Sequence, residues 1–241
     1  MNKILLDDEL KNIIIDKNNE LFFSNKSSNA KNINITIKKD TNVIINEINY
    51  ENINNIYNYY LEDNSTLIIN KFYINEITNE INNIYLNGIN SKSEINISCI
   101  SKNNHSYILN IYHNNKNTIS YSNVHGITLN DQTINIENNG YIKKGSTNSI
   151  LNQDNKVITM YKNNSIIKPN LFIDEYNSYA SHGAYIGKFD EEIIFYLQSR
   201  GINIDESNKL LTKGLLLNHI KLNEDLLDDI KEKINKELEV K

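Results

Sequence analysis

The chain has one cysteine, one proline, no tryptophan, eight glycines and, in Arg200, a single arginine. With Cys99 alone, it cannot form an internal disulfide framework or an all-cysteine zinc site. Nor can it supply by itself the four thiolates that an iron–sulfur cluster ordinarily takes. No apolar run approaches the roughly 18 residues of a membrane helix, and the opening MNKILLDDEL sets acids where a signal peptide keeps its apolar region. Net charge is −5 with no block of lysines, which argues against a nucleic-acid arm or an anionic membrane surface. These absences predict a soluble, cytoplasmic protein with no nucleic-acid and no membrane partner. In a chain so biased towards Asn, Ile and Lys, glycine, proline and arginine are expected where geometry demands them.

What is present over most of the chain is β-type alternation. Short runs rich in Ile, Val, Tyr and Thr recur at Ile33–Ile37, Val43–Ile48, Thr66–Ile69, Ile84–Leu86, Ile95–Ile100, Tyr107–Tyr112, Thr118–Ser122, Thr133–Ile136 and Val157–Tyr161. Many alternate apolar with polar, so each strand buries one face. The separators include Asn103-Asn104, Asn114-Asn115, Asn138-Asn139-Gly140 and Asn163-Asn164, and asparagine tolerates the left-handed conformation that turns need. Strands without helical spacers exclude a doubly wound α/β fold and leave a β-sandwich or a β-solenoid open. Stacked asparagine turns suit the solenoid. Residues 1–30 stand apart and read as a hairpin (Asn12–Asp16 against Glu20–Ser24) or as a short helix over Asp7–Ile15.

After Pro169 the period changes. Asp190 is placed to cap a helix, Glu191 and Glu192 suit its first turn, and Gly201 suits its left-handed stop, with Arg200 in the last turn. A second helix from about Asp205 carries Leu210, Leu211, Leu215 and His219. A third, from Asn223, sets Leu226 or Leu227, Ile230, Ile234 and Leu238 on one stripe.

Few residues offer chemistry. His182, between Ser181 and Gly183, has room for a metal, although a histidine bonded to backbone at the last β turn is the simpler reading. Cys99 lies in a strand, its thiol facing away from the neighbouring isoleucines. His105, His113 and His125 match no zinc spacing and read as turn or surface residues. No phosphate loop, dinucleotide fingerprint, nucleophile elbow or zincin motif occurs, and no catalytic residue is assigned.

The segment Ser181–Ile202, SHGAYIGKFDEEIIFYLQSRGI, resembles the signature SHGATxGxLDEExLFYLxSRGI of the SufB/SufD family, scaffold proteins of the SUF iron–sulfur cluster assembly machinery. Asn117–Ile127, Asn139–Gly145 and Pro169–Ile173 resemble the elements preceding it, so the likeness runs from about Asn117 to Leu217. His-Gly-Ala after the last strand is SufD-like. The family cysteine two positions before the histidine falls on Ala180, and the family arginine before the upstream glycine on His125.

The resemblance implies a right-handed parallel β-helix over 31–185 and a C-terminal helical domain over 186–241, with no counterpart of the N-terminal helical domain of longer SufD proteins. It implies docking of a SufC-type ABC ATPase through Asp190, Glu191, Glu192, Phe195, Tyr196, Arg200, Gly201 and Leu211. It further implies pairing with a SufB-type subunit or a second copy, no stably bound cofactor, and a transient iron–sulfur cluster to which His182 adds one ligand. A β-helix interaction module without a cluster role is the alternative. A polysaccharide-active β-helix enzyme is a more distant one, against which the missing signal peptide and single arginine speak.

Overall fold

The computed structural model describes residues 2–6, 12–25, 29–161 and 164–239. Strands run in chain order as β1 (Asn2–Leu6), β2 (Asn12–Ile15), β3 (Asn19–Asn25), β4 (Lys31–Ile37), β5 (Asn42–Asn49), β6 (Ile53–Leu61) and β7 (Thr66–Leu86). They continue as β8 (Lys92–His113), β9 (Ile119–Thr128), β10 (Thr133–Ile142), β11 (Ser149–Thr159), β12 (Ile166–Ile173) and β13 (Ser178–Gly187). Helices α1 (Glu191–Ser199), α2 (Ile204–Leu217) and α3 (Glu224–Glu239) follow. Every described strand pair is parallel. One ladder runs β1-β3-β5-β7-β8-β9-β11-β13 and a second runs β2-β4-β6-β7-β8-β10-β12. The long strands β7 and β8 bend round the edge and serve both. The chain is therefore a parallel β-solenoid, and the sandwich, which needs antiparallel sheets, is ruled out.

The segment 12–25 is not a hairpin. β2 pairs with β4 and β3 with β5, each in parallel, because their alternating apolar side chains continue the interior stack. The alternative helix over Asp7–Ile15 falls partly on residues 7–11, outside those described, and Asn12–Ile15 is strand.

Asparagine ladders hold successive coils in register. On the second face, Asn34, Asn58, Asn83, Asn110, Asn139 and Asn170 each donate an amide to the asparagine one coil back, starting at Asn12, at 2.8–3.0 Å. Next to them Tyr60, Tyr85, Tyr112, Tyr141 and Phe172 stack with ring centroids 4.7–5.0 Å apart. At one corner Asp40, Asn64, Asn90, Asn117 and Asn148 hold φ between 54° and 59°, and each amide from Asn64 to Asn177 reaches the residue below at 2.8–3.2 Å. Asparagine thus replaces glycine at these corners and supplies a stacking bond as well. Asn138-Asn139-Gly140, read as a turn, lies inside β10 instead: Asn139 donates to Asn110 in the ladder, and Asn138 donates to Ser122 and Asn155 in the interior.

The interior is apolar at its centre (Ile33, Ile45, Ile69, Ile95, Ile111 and Ile136 among others) but holds an ionic cluster. Lys71 Nζ lies 2.8 Å from Glu80 and 3.5 Å from Glu47, all three side chains fully buried. Tyr73 donates to Glu80 at 2.6 Å, Tyr57 to Glu47 at 3.0 Å, and Asn82 and Asn49 to the same two carboxylates. Cys99 shares this interior with Ile95 and Ile97, while Ile100 faces the helices, so only one neighbouring isoleucine lies opposite the thiol.

His105 and His113 are interior residues, not turn or surface ones. A strand on a solenoid buries every second side chain, and each imidazole finds partners there. His105 contacts Tyr107 Oη and Asn75 O at 3.0 Å, and His113 contacts Thr118 Oγ1 at 2.7 Å and Ser120 Oγ at 2.8 Å. Burial pushes both imidazoles down to about 4. They are neutral in the folded chain and protonate more readily when unfolded. Their contribution is therefore fully present above the ordinary histidine value and is lost as pH falls through the folded one, roughly 3 kcal/mol apiece from about pH 6.5 to 4. Glu47, whose carboxyl burial pushes up, acts in the opposite sense. Urea midpoints should accordingly fall over that interval, and His105→Gln should flatten the fall; a midpoint constant between pH 6.5 and 4 would contradict the placement of these histidines.

The helices obey local rules. Asp190 accepts from Glu192 N at 2.8 Å, Asn203 from Glu206 N at 2.9 Å, and Asn223 from Leu226 N at 3.0 Å, so each helix is capped by its own sequence. Gly201, at φ 85°, ends α1, with Ile202 N donating to Leu197 O. Arg200 is the C-cap residue and not part of the last turn. Ile230 and Ile234 of α3 and Leu216 of α2 pack on Phe72, Ile74, Ile100, Ile127 and Ile158, the outward residues of the first face. His219 lies past the end of α2, where Asn218 caps the helix and lets the chain turn back onto the solenoid. Among the described residues, no helix is long and apolar enough to cross a membrane.

Candidate functional site: the open last coil and its helix

A solenoid must end, and its last strands carry backbone groups that no further coil pairs. Among the described residues, β12 pairs only with β10, and β13 only with β11. Both strands come from sequence that is as β-prone as the rest, yet neither contains a fully buried residue. Phe172, Ile173, Tyr179, Tyr185 and Ile186 are exposed on this end. Ala180 lines an open hollow of about 500 Å³ together with Leu171, Asp174, Tyr176 and Ser178.

His182 is on β13, one coil above Gln153, in the column occupied further down by inward-facing side chains. It is exposed only because no coil follows. Beneath it, Gln153 donates to Asn138 O at 3.1 Å, while Gln153 Oε1 and Asn138 Oδ1 are buried without a partner. The histidine therefore stands at the open mouth of a polar section of the interior. Among the described residues, no group of three or more His, Cys, Asp or Glu is placed to hold a metal ion. Cys99 adds nothing here, for it is fully buried and burial pushes its thiol up to about 12. His182 could supply at most one ligand to a site completed from elsewhere.

α1 follows this end directly. It has no buried residue, although its sequence is EEIIFYLQS. Phe195 is 73% exposed and Tyr196 56%, and Ile193 on the same helix is exposed as well. Arg200 lies over the Tyr196 ring, 5.3 Å from its centroid. Glu191 and Glu192 occupy the first turn behind the Asp190 cap. Leu211 differs from the others: it lines a groove of about 460 Å³ between α2 and the solenoid, with His125, Lys156 and Leu215. Of the residues singled out from the sequence, the structure groups those of α1 on one exposed helix and places Leu211 apart. The polar seam around His125 and His219 carries no sequence signal, since its members are scattered over four elements.

The fold and this site define a β-solenoid protein whose offerings are an unpaired coil and an exposed apolar helix. The chain belongs to the family described as SUF system FeS cluster assembly, SufBD core domain, which matches residues 6–215. It is similar to the iron-sulfur cluster assembly protein SufD of Bacillus subtilis (strain 168), at 32% identity over 108 residues. That stretch covers 44% of this chain and 24% of the length of that relative.

Proposed function

We propose that the chain is a SufD-like scaffold subunit of a SUF-type iron–sulfur assembly complex, non-catalytic in itself. The observation that carries this reading is the family match over a chain whose last coil is left open. The open coil pairs edge to edge with a SufB-type subunit or a second copy, and the cluster is cargo built at that junction. α1, with the start of α2, docks a SufC-type ABC ATPase. Dimerisation of the ATPase on binding ATP pulls on these helices and reshapes the junction.

Within this scheme His182 contributes one imidazole ligand at the junction, and the thiolates come from the partner, since Ala180 and Cys99 supply none. Replacing His182 by alanine should reduce iron and sulfide loading of the assembled complex several-fold while leaving the complex intact. Unchanged loading would remove His182 from the cluster. Failure of the chain to join any assembly would remove the scaffold reading itself.

A further inference from the structure

The seam between α2 and the solenoid holds polar groups that the scaffold reading does not use. The last carbonyls of a helix lack partners within it, and α2 ends against three successive coils. Ser98 Oγ donates to Leu216 O at 2.6 Å, and His125 Nδ1 lies 3.2 Å from Leu215 O. The other nitrogen of His125, Nε2, lies 2.9 Å from Asp154 Oδ2. A carbonyl oxygen and a carboxylate can only accept, so His125 makes both bonds only with a proton on each nitrogen. A cation at the C-terminal end of a helix is also favoured by the helix dipole.

The groups around His125 agree with a charged ring. Asp154, half exposed on β11, is held below its usual range by the bond from His125. His219 meets His125 edge to face, ring centroids 4.1 Å apart, and its Nε2 is 3.1 Å from Ser98 Oγ. Ser98 gives its own proton to Leu216, so His219 Nε2 is the donor of that contact, and Nδ1 stays buried without a partner. His219 is thus the neutral ring of the pair, pushed down to about 4 by burial and then by His125. Lys156 of β11 borders the same groove, and Glu94 of β8 faces His219 but is engaged by Lys221 at 2.8 Å.

We propose that His125 is a protonation-dependent latch that seats the C-terminal end of α2 on the solenoid, tying Leu215 to Asp154 while it holds both ring protons. Loss of one proton breaks one of the two bonds, so Leu215 is no longer tied to Asp154, and α2 keeps the Ser98–Leu216 bond and its apolar contacts. The latch belongs to this chain by itself and does not depend on the scaffold reading. If that reading holds, the latch regulates the element that receives the pull.

The test is hydrogen exchange of the α2 amides in the full chain, corrected for the intrinsic rate, at about pH 6 and about pH 8, on either side of neutrality. Protection of α2 should fall about tenfold or more across that interval relative to the β-core amides. His125→Gln should be low at both pH values. His125→Arg, always charged, should be high and flat. Asp154→Asn alters a half-exposed side chain, can donate to a neutral ring, and should abolish the pH dependence without unfolding the chain. Equal protection of wild type and His125→Gln at both pH values, or a pH dependence that survives in His125→Arg, would overturn the latch.

Discussion

Lys71→Met should destabilise the solenoid by about 3–5 kcal/mol at neutral pH, among the largest effects of any single substitution in this chain. Removing the ammonium leaves the carboxylates of Glu47 and Glu80, both fully buried, without their cation. The tyrosine and asparagine donors around them offset part of that cost but carry no charge. Burial raises the Glu47 carboxyl, so this group can take up a proton in place of its lost partner. The penalty should therefore shrink as the pH is lowered towards 5, a trend opposite to the histidine effect. The combined variant Glu47→Gln, Lys71→Met, Glu80→Gln should recover most of the stability, because neutral groups in the same cage need no counter-ion. Urea unfolding followed by circular dichroism measures all three. A loss below about 1 kcal/mol in Lys71→Met would mean that the cluster is not a dry ion triad.

The second large effect concerns α1. Phe195→Asp combined with Tyr196→Asp should weaken capture of a SufC-type ATPase by about a hundredfold or more, since exposed aromatics on a helix are the residue types that dominate interfaces. The same substitutions should leave the unfolding midpoint unchanged, because α1 contributes no buried residue. Loss of binding together with loss of stability would instead mean that these rings pack within the chain in solution.

Several features of the fold were legible from residues alone. The caps of α1 and the stripe of α3 follow from local chemistry and lie where that chemistry puts them; asparagine also makes the corners, but at Asn64, Asn90, Asn117 and Asn148, none of which belongs to the pairs read as turns. The choice between solenoid and sandwich was not legible from periodicity, because inward and outward alternation is the same in both. Nor does the coil repeat show as a fixed period: in the asparagine ladder the spacing drifts from 22 residues at Asn12–Asn34 to 31 at Asn139–Asn170. The strand Ile53–Leu61 escaped notice because its interior positions Tyr57 and Tyr59 carry hydroxyls, and what makes Tyr57 acceptable inside is Glu47, ten residues away in sequence. The interior placement of His105 and His113 is hidden for a similar reason, since Asn75, Thr118 and Ser120, which meet their rings, lie on a neighbouring coil or across the turn.

The site was legible only in part. The exposed residues of α1 share one short segment, so a linear pattern finds them. The open coil has no such pattern: the sequence puts His182 after the last strand, whereas it lies within β13, and only the lack of a coil paired above that strand makes it accessible. Leu211 looked equivalent to the α1 residues in sequence, but it turns towards the solenoid and the His125 seam.

The most direct test is to co-purify the chain with the SufC-type ATPase and the SufB-type scaffold of the same source and to measure the mass of the assembly in solution with and without ATP. The account predicts a stable complex that depends on residues 190–217 and changes its dimensions when ATP binds. A chain that remains free of both partners at micromolar concentration would contradict it and leave a β-solenoid interaction module whose partner lies outside this system.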